Sequence, residues 1–157
     1  MAAAKKGTNT AYLEQQADTV RASLGGATKS EELFRLAAEA GYLTALADGA
    51  EDAAEREALV EALETLSKGI VIEWETEGFL GEAWGRISAE GADARCAAIG
   101  QRLKELGNAE AGVLIGAIVA YASNGIDKTE AQVLEKIGAA AGLERKQVAA
   151  IVKKARG

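Results

Sequence analysis

The feature that most constrains this chain is its complete lack of proline, combined with 18 glycines in an alanine-rich sequence of 157 residues. Alanine has the highest intrinsic helix propensity, whereas glycine has one of the lowest and often marks the end of a helix. The one short run with β propensity, Ile70-Val71-Ile72, has no second strand in the sequence with which to pair. The sequence therefore predicts an all-α fold.

Apolar residues at helical spacing predict seven or eight helices separated by short turns. Residues 1–10 are small, polar and basic and are expected to form a flexible N-terminus, and residues 11–157 to form a single domain. The first helix is expected to begin at Tyr12, and the segment 69–91 is expected to be mostly helical. The remaining predicted helices run from Ser30 to Gly49, from Asp52 to about Lys68, and over residues 92–106, 109–124, 127–141 and 144–155.

The side-chain inventory excludes several classes of protein. The chain has no histidine, which rules out Ser-His-Asp triads and His-ligated zinc, and its lone cysteine, Cys96, cannot form an internal disulfide. No apolar run reaches the roughly 18 residues of a membrane-spanning helix, and Met-Ala-Ala-Ala-Lys-Lys lacks the apolar core of a signal peptide. We therefore expect a cytoplasmic protein. Its net charge of −6 is concentrated in residues 30–90, which carry fifteen acidic and four basic side chains.

An internal repeat organises the domain. The segment Ala40–Leu66 aligns with Gly116–Ala141 with one single-residue gap, which predicts repeat units at about 30–69 and 108–142. Each unit contains a helix that ends in Asx-Gly, followed by a helix that begins with Asp-x-x-Glu. The two corners read Ala47-Asp48-Gly49 before Asp52-Ala53-Ala54-Glu55, and Ser123-Asn124-Gly125 before Asp127-Lys128-Thr129-Glu130. We expect the two corners to approach each other.

This corner resembles that of the tellurite-resistance TerB family and its relatives, which include the N-terminal domain of some membrane-anchored DnaJ-type cochaperones. The resemblance covers about residues 30–157. It implies a helical bundle with an internal pseudo-duplication and no enzymatic activity. It also implies a role in the tellurite, oxyanion and metal stress response, exerted through protein partners in a stress-response complex that can lie at the inner face of the membrane.

The same resemblance implies that the acidic corner residues lie close together and form a candidate site for a divalent metal ion. Asn124 stands where the family usually has an aspartate, which weakens attraction for a hard cation. Oxygen-only ligands favour calcium, magnesium or manganese over zinc. The candidate metal ligands are Asp48, Asp52, Glu55, Asn124, Asp127 and Glu130.

Helix capping is the alternative interpretation of the corner carboxylates. Asp52 and Asp127 stand at N-cap positions, and Glu55 and Glu130 follow three residues later, as a capping box requires. Capping explains these four residues without a ligand. An EF-hand is excluded, because its first and third ligand positions would be Thr44 and Leu46, which belong to the preceding helix.

The basic C-terminal segment leaves a second function class open. Val133–Lys154 has the glycine and apolar spacing of a helix-turn-helix motif, so a nucleic-acid-binding module is the competing interpretation. Against it, the whole chain is acidic, and Gln147 is the one side chain on the second helix suited to reading base edges. The nearby basic residues are Arg145, Lys146, Lys153, Lys154 and Arg156.

Two residue groups and the lone cysteine also bear on chemistry. The glutamates at positions 73, 75, 77 and 82 are interpreted as a solvated acidic face, since a glycoside hydrolase needs two carboxylates at a set separation in a cleft. Trp74, Phe79 and Trp84 are expected to belong to the core or to a partner groove. Cys96 is expected to be a buried small hydrophobe rather than a nucleophile. The sequence thus predicts a binding protein and not an enzyme.

Overall fold

A computed structural model describes residues 9–24, 29–47, 53–67, 75–124 and 126–156, and all regular secondary structure in these ranges is helical. The predicted all-α class is confirmed. The run Ile70-Val71-Ile72 lies outside the described residues. Within them, eight helices follow one another: α1 (Asn9–Leu24), α2 (Ser30–Ala45), α3 (Ala53–Leu66), α4 (Thr76–Glu90), α5 (Ala92–Leu106), α6 (Ala109–Asn124), α7 (Lys128–Ala140) and α8 (Arg145–Arg156).

Local signals account for several helix ends. The Glu75 side chain caps α4 by accepting hydrogen bonds from the backbone N–H groups of Gly78, at 2.7 Å, and Glu77, at 3.2 Å. The helix α5 ends at Gly107, whose φ of 74° places it in the left-handed region. There the N–H of Asn108 donates to the Leu103 carbonyl, which closes a Schellman motif. The expected start of α1 at Tyr12 is wrong by three residues, because the helix begins at Asn9.

Helices α2 and α6 form the centre of the molecule, and the other helices pack around them. A Cβ placed on Gly41 would lie 2.6 Å from the Cβ of Val119, and a Cβ on Gly116 would lie 3.1 Å from that of Ala40. The two helices can approach this closely only because small residues occupy their crossing point. Helix α3 packs on α6, and α7 packs on α2 and α5.

The terminal helices are tied to the same centre. Helix α1 contacts α3 and α6, and α8 packs along α6 and α7. The Tyr12 hydroxyl donates a hydrogen bond to the Ala155 carbonyl, and its ring packs on Tyr121 with the centroids 5.2 Å apart. Burial raises the pKa of this hydroxyl, which keeps it protonated as a donor.

A buried ionic cluster fastens α4 and α5 to α2. Glu39 is 2% exposed, and its carboxylate accepts from Arg86 Nη2 at 2.9 Å and from Arg95 Nε at 2.7 Å. Arg95 also contacts Glu90 at 3.2 Å. The hydrogen bond to Glu39 is the main cause of a raised pKa of the Arg95 guanidinium. These charges fix how the α4–α5 hairpin lies against α2 and thereby shape the cavity described next.

Candidate binding groove and the two helix corners

An open cavity of about 720 Å³ lies where α2, α4, α5 and α7 meet, and we call it the Trp84 groove. Its volume falls in the range of sites that bind small molecules or the anchoring side chains of a partner. Its polar lining includes Thr129, Gln132, Asp93, Lys136 and Arg56. The apolar lining comprises Tyr42, Leu43, Leu46, Leu80, Trp84, Ile87, Cys96 and Val133.

Trp84 is the exposed member of an otherwise buried helix face. Leu80, Trp84 and Ile87 are spaced four and three residues apart on α4, so they lie on one side of that helix. Leu80 and Ile87 are buried, whereas Trp84 is 52% exposed. Among the described residues, no other large apolar side chain is exposed to this degree. An exposed tryptophan beside an apolar cavity is typical of an interaction site.

Both cations at the rim of the groove are held by carboxylates. Arg56 Nη2 lies 3.0 Å from Glu77 Oε1, and Lys136 Nζ lies 3.0 Å from Asp93 Oδ1. The hydrogen bond to Asp93 raises the pKa of the Lys136 ammonium. The rim therefore presents ion pairs rather than a positively charged patch.

A second cavity of about 420 Å³ adjoins the groove at Arg56, which lines both cavities. We call it the acidic cavity. It is lined by four carboxylates against one guanidinium, and its apolar contribution comes from Val60 and Ala53. The four acidic residues are Glu57, Glu61, Glu64 and Glu77.

Residues next to both helix corners line the Trp84 groove. Ala47 and Arg56 flank the first corner on either side, and Thr129 lies in the first turn after the second. The fold therefore brings described residues at or beside each corner to one cavity. Gly49 and Gly125 themselves lie outside the described residues.

The six candidate metal ligands are only partly described. Asp48 and Asp52 lie outside the described residues, Glu55 lies in the first turn of α3, and Asn124 is the last residue of α6. Asp127 and Glu130 lie at the start of α7. In the described ranges, no three acidic or cysteine residues form a group that could hold a metal ion. Since this finding omits two of the six residues, the metal site stays a prediction.

The predicted capping box at the second corner is confirmed. The Asp127 carboxylate accepts from the Glu130 N–H at 2.8 Å, and the Glu130 carboxylate accepts from the Asp127 N–H at 3.0 Å. Glu130 is 5% exposed, so the hydrogen bond from the Asp127 N–H satisfies part of a buried carboxylate. The corresponding box at Asp52 lies outside the described residues.

The basic C-terminal helix uses several of its polar side chains in structural contacts. Gln147 Oε1 accepts from the Glu144 N–H at 2.7 Å, which caps the start of α8. Arg156 Nη2 donates to the Ile126 carbonyl at 3.0 Å, and Arg145 Nε lies 3.5 Å from Glu135 Oε1. Gln147 is thus engaged in its own helix rather than presented to a base edge.

The other described residues named from the sequence have structural roles or are simply exposed. Glu75 caps α4, Glu77 pairs with Arg56, and Glu82 is exposed, while Glu73 and Trp74 lie outside the described residues. Phe79 is buried in the core.

Cys96 is buried, as predicted, and this burial raises the pKa of its thiol to about 11, so the unreactive protonated form dominates.

The charged rim of the groove is what sequence reasoning missed. Arg56, Asp93 and Lys136 come from three different helices, and no local pattern links them. The aromatic spacing around Trp84 was the one signal available, and it predicted either core or partner groove. Phe79 is in the core, whereas Trp84 is exposed and lines the groove, so a partner at Trp84 stays a prediction.

Comparison with known proteins yields no match to a protein-family model, to a curated protein or to a solved structure. The resemblance to the TerB family therefore depends on the corner motifs alone. Across the described ranges, no helix is long and apolar enough to cross a membrane.

Proposed function

We propose that this chain is a cytoplasmic, non-enzymatic TerB-like domain that acts in the tellurite, oxyanion and metal stress response by binding partner proteins at the Trp84 groove. The observation that carries this proposal is the lining of one apolar groove by residues adjacent to both family-like corners, Ala47, Arg56 and Thr129. A groove with an exposed tryptophan supports a binding role. Asp93, the one carboxylate among the described residues that line the groove, is ion-paired with Lys136, which supports binding over catalysis.

The packing supports the proposed pseudo-duplication. Ala40 and Gly116 occupy the same position in the two repeat units, and they meet at the crossing of α2 and α6. Equivalent residues meet in this way when two units are related by an approximate two-fold axis between them. The second helix of each unit also packs on the first helix of the other, since α3 contacts α6 and α7 contacts α2.

A divalent metal ion at the acidic corner is the second part of the proposal. Asp48, Asp52, Glu55, Asn124, Asp127 and Glu130 are the proposed ligand set. Carboxylates crowded by a two-fold repeat repel one another, and a bound cation relieves that repulsion. Calcium, magnesium or manganese suits the oxygen-only ligands, and Asn124 makes the affinity weak.

Calorimetric titration with calcium, magnesium and manganese tests the metal part of the proposal. We expect wild type to bind weakly and to melt at a higher temperature in millimolar metal than in chelator, because an ion that binds only the folded state stabilises it by mass action. Asp48→Asn and Glu55→Gln should each weaken binding, whereas Glu14→Gln on α1 should not. Absence of both heat and a melting shift in wild type would leave only the capping role for these residues.

Growth in tellurite tests the stress-response part. Deletion of the gene from its own host should lower the tellurite concentration that permits growth, and the wild-type chain should restore it. Trp84→Ala should restore growth poorly at equal protein abundance, because the truncation removes the exposed anchor of the groove and little of the core. A deletion strain that tolerates tellurite and metal salts as well as its parent would refute the proposed role.

A further inference from the structure

We infer that the Trp84 groove and the acidic cavity beside it together dock a cationic amphipathic helix of a partner protein. The apolar side of that helix lies in the groove, and its lysine or arginine residues lie over Glu57, Glu61 and Glu64. The inference rests on the proposed function, because it names the class of partner for the same groove.

The apolar lining of the groove suits side chains carried on a helix. Helix-in-groove recognition uses apolar anchors at positions i, i+3 or i+4, and i+7, which together fill one elongated apolar depression. The apolar lining here combines Leu46 at the C-terminal end of α2, Leu80 of α4 and Val133 of α7, and Trp84 is 52% exposed beside them. Three helices thus contribute apolar side chains to the groove. Its exposed polar lining residues are Asp93, Thr129, Gln132 and Lys136.

The charges select a cationic occupant. An anionic ligand would need a cation with spare capacity, but Arg56 already contacts Glu77 at 3.0 Å and Lys136 already contacts Asp93 at 3.0 Å. Immediately beyond Arg56, the acidic cavity is lined by Glu57, Glu61 and Glu64 in addition to Glu77, so its acidic side chains outnumber its single guanidinium. A ligand that spans both cavities therefore meets an apolar surface at one end and negative potential at the other.

The acidic residues form a regular stripe. Glu57, Glu61 and Glu64 are exposed and follow one another at spacings of four and three residues, so they lie on one face of α3. Like charges at this spacing repel, and cations of a docked partner relieve the repulsion. The stripe therefore attracts the basic side chains of the partner helix, and this attraction weakens as the salt concentration rises.

The chain's own basic helix does not fit as the occupant. Helix α8 carries Lys146, Lys153 and Lys154, but its apolar residues Val148, Val152 and Ala155 are buried within the fold. An occupant needs both its basic residues and its apolar face available at once. Helix α8 of a second copy is therefore a poor occupant, and the inferred partner is a basic amphipathic helix of a different protein.

Two glycines of α4 allow a steric test with a matched control. Gly81 lines the Trp84 groove and Gly85 does not, yet a Cβ built on either residue meets no atom within 4 Å. Gly81→Leu therefore adds a side chain at the groove whose Cβ meets no other atom, and Gly85→Leu adds the same side chain at a position that does not line the groove. Both replacements raise helix propensity, so both variants are expected to fold.

The experiment measures fluorescence anisotropy of a labelled synthetic helix with the full chain. The probe is a peptide of about 18 residues in which leucines at i, i+3, i+4 and i+7 form one face and lysines the other. A second peptide replaces every lysine with glutamate. We expect the lysine peptide to bind wild type at least about tenfold more tightly than the glutamate peptide does, and Gly81→Leu to weaken it about tenfold while Gly85→Leu leaves it unchanged.

Charge reversal tests the acidic stripe separately. The triple variant Glu57→Lys, Glu61→Lys, Glu64→Lys should lose most binding of the lysine peptide. The control Glu14→Lys, Glu110→Lys, Glu144→Lys makes the same change in net charge at exposed residues outside both cavities, and should retain most of it. Equal losses in the two variants would mean that net charge alone attracts the peptide, which overturns the inference.

The remaining outcomes separate this inference from the proposed function. Equal binding of both peptides to wild type, or full binding to Gly81→Leu, overturns the inference. Self-association that Gly81→Leu abolishes would make a second copy the occupant and would also overturn it. If no peptide binds but deletion of the gene lowers tellurite tolerance, the inference is refuted and the stress role stands. If the lysine peptide binds selectively but deletion has no effect on tolerance, the stress role is refuted and the inference stands.

Discussion

At the scale of single residues, the most consequential contact is the buried carboxylate of Glu39. A buried charge is tolerated only when partners satisfy it, and Arg86 and Arg95 do so from two other helices. Helical periodicity alone does not reveal this cluster, because Glu39 pairs with residues 47 and 56 positions away. The pairing depends on how distant helices pack.

Replacement of Glu39 by glutamine is expected to lower the free energy of unfolding by about 3 kcal/mol, because it leaves the Arg95 guanidinium without its buried anionic partner. Glu32→Gln is the matched control. Its partner Arg102 is more exposed, so the loss there should stay below about 1 kcal/mol. Urea denaturation of both variants measures the difference, and equal losses would show that the Glu39 cluster contributes no more than a surface pair.

The Cys96 thiol should react slowly with iodoacetamide. Burial raises its pKa to about 11, so the thiolate is scarce at pH 8 and labelling should be at least about tenfold slower than in the denatured chain. Because the folded pKa exceeds the unfolded one, this group's contribution to stability is present below the unfolded pKa. It is lost as the pH rises toward 11. Rapid labelling of the native protein at pH 8 would contradict this environment.

At the scale of helices, sequence patterns located the elements well. The predicted segments 92–106 and 109–124 coincide with α5 and α6, because local caps such as the Gly107 turn end them. The expectation for α2 was less accurate, since the helix ends at Ala45 and not just before Gly49. The local sequence pattern could not predict how α2 and α6 cross or which residues line the groove. Both depend on which helix packs against each helix face, and that is decided by residues far apart in the sequence.

The crossing of α2 and α6 predicts opposite effects for two glycine-to-alanine changes. Gly41→Ala would place a Cβ 2.6 Å from two atoms of Val119, so it should destabilise the fold by roughly 1–3 kcal/mol. Gly85→Ala meets open space within α4 and should stabilise by up to about 1 kcal/mol through helix propensity. Thermal and urea unfolding report both changes. A tolerated alanine at position 41 would show that the two helices do not cross so closely.

At the scale of the whole molecule, charge is unevenly distributed along the sequence. Residues 30–90 hold most of the acid, and four of these carboxylates line the acidic cavity. The C-terminal helix α8 has four exposed lysines and arginines that flank its buried face, in addition to Arg145 at its start. Such a distribution orients the molecule toward charged partners before contact.

Duplex DNA provides the test of the competing nucleic-acid interpretation, and we expect no binding near physiological salt. The net charge of −6 opposes approach to phosphate, and Gln147 is held at the α8 N-terminus by its hydrogen bond with the Glu144 N–H. Arg156 and Arg145 are also engaged, by the Ile126 carbonyl and by Glu135. Anisotropy of a labelled duplex of about 20 base pairs, measured between low and physiological salt, checks this expectation. Micromolar affinity that falls steeply with salt would contradict this expectation. If the double variant Lys153→Glu, Lys154→Glu also lost that affinity, α8 would be a nucleic-acid-binding surface and the competing interpretation would be correct.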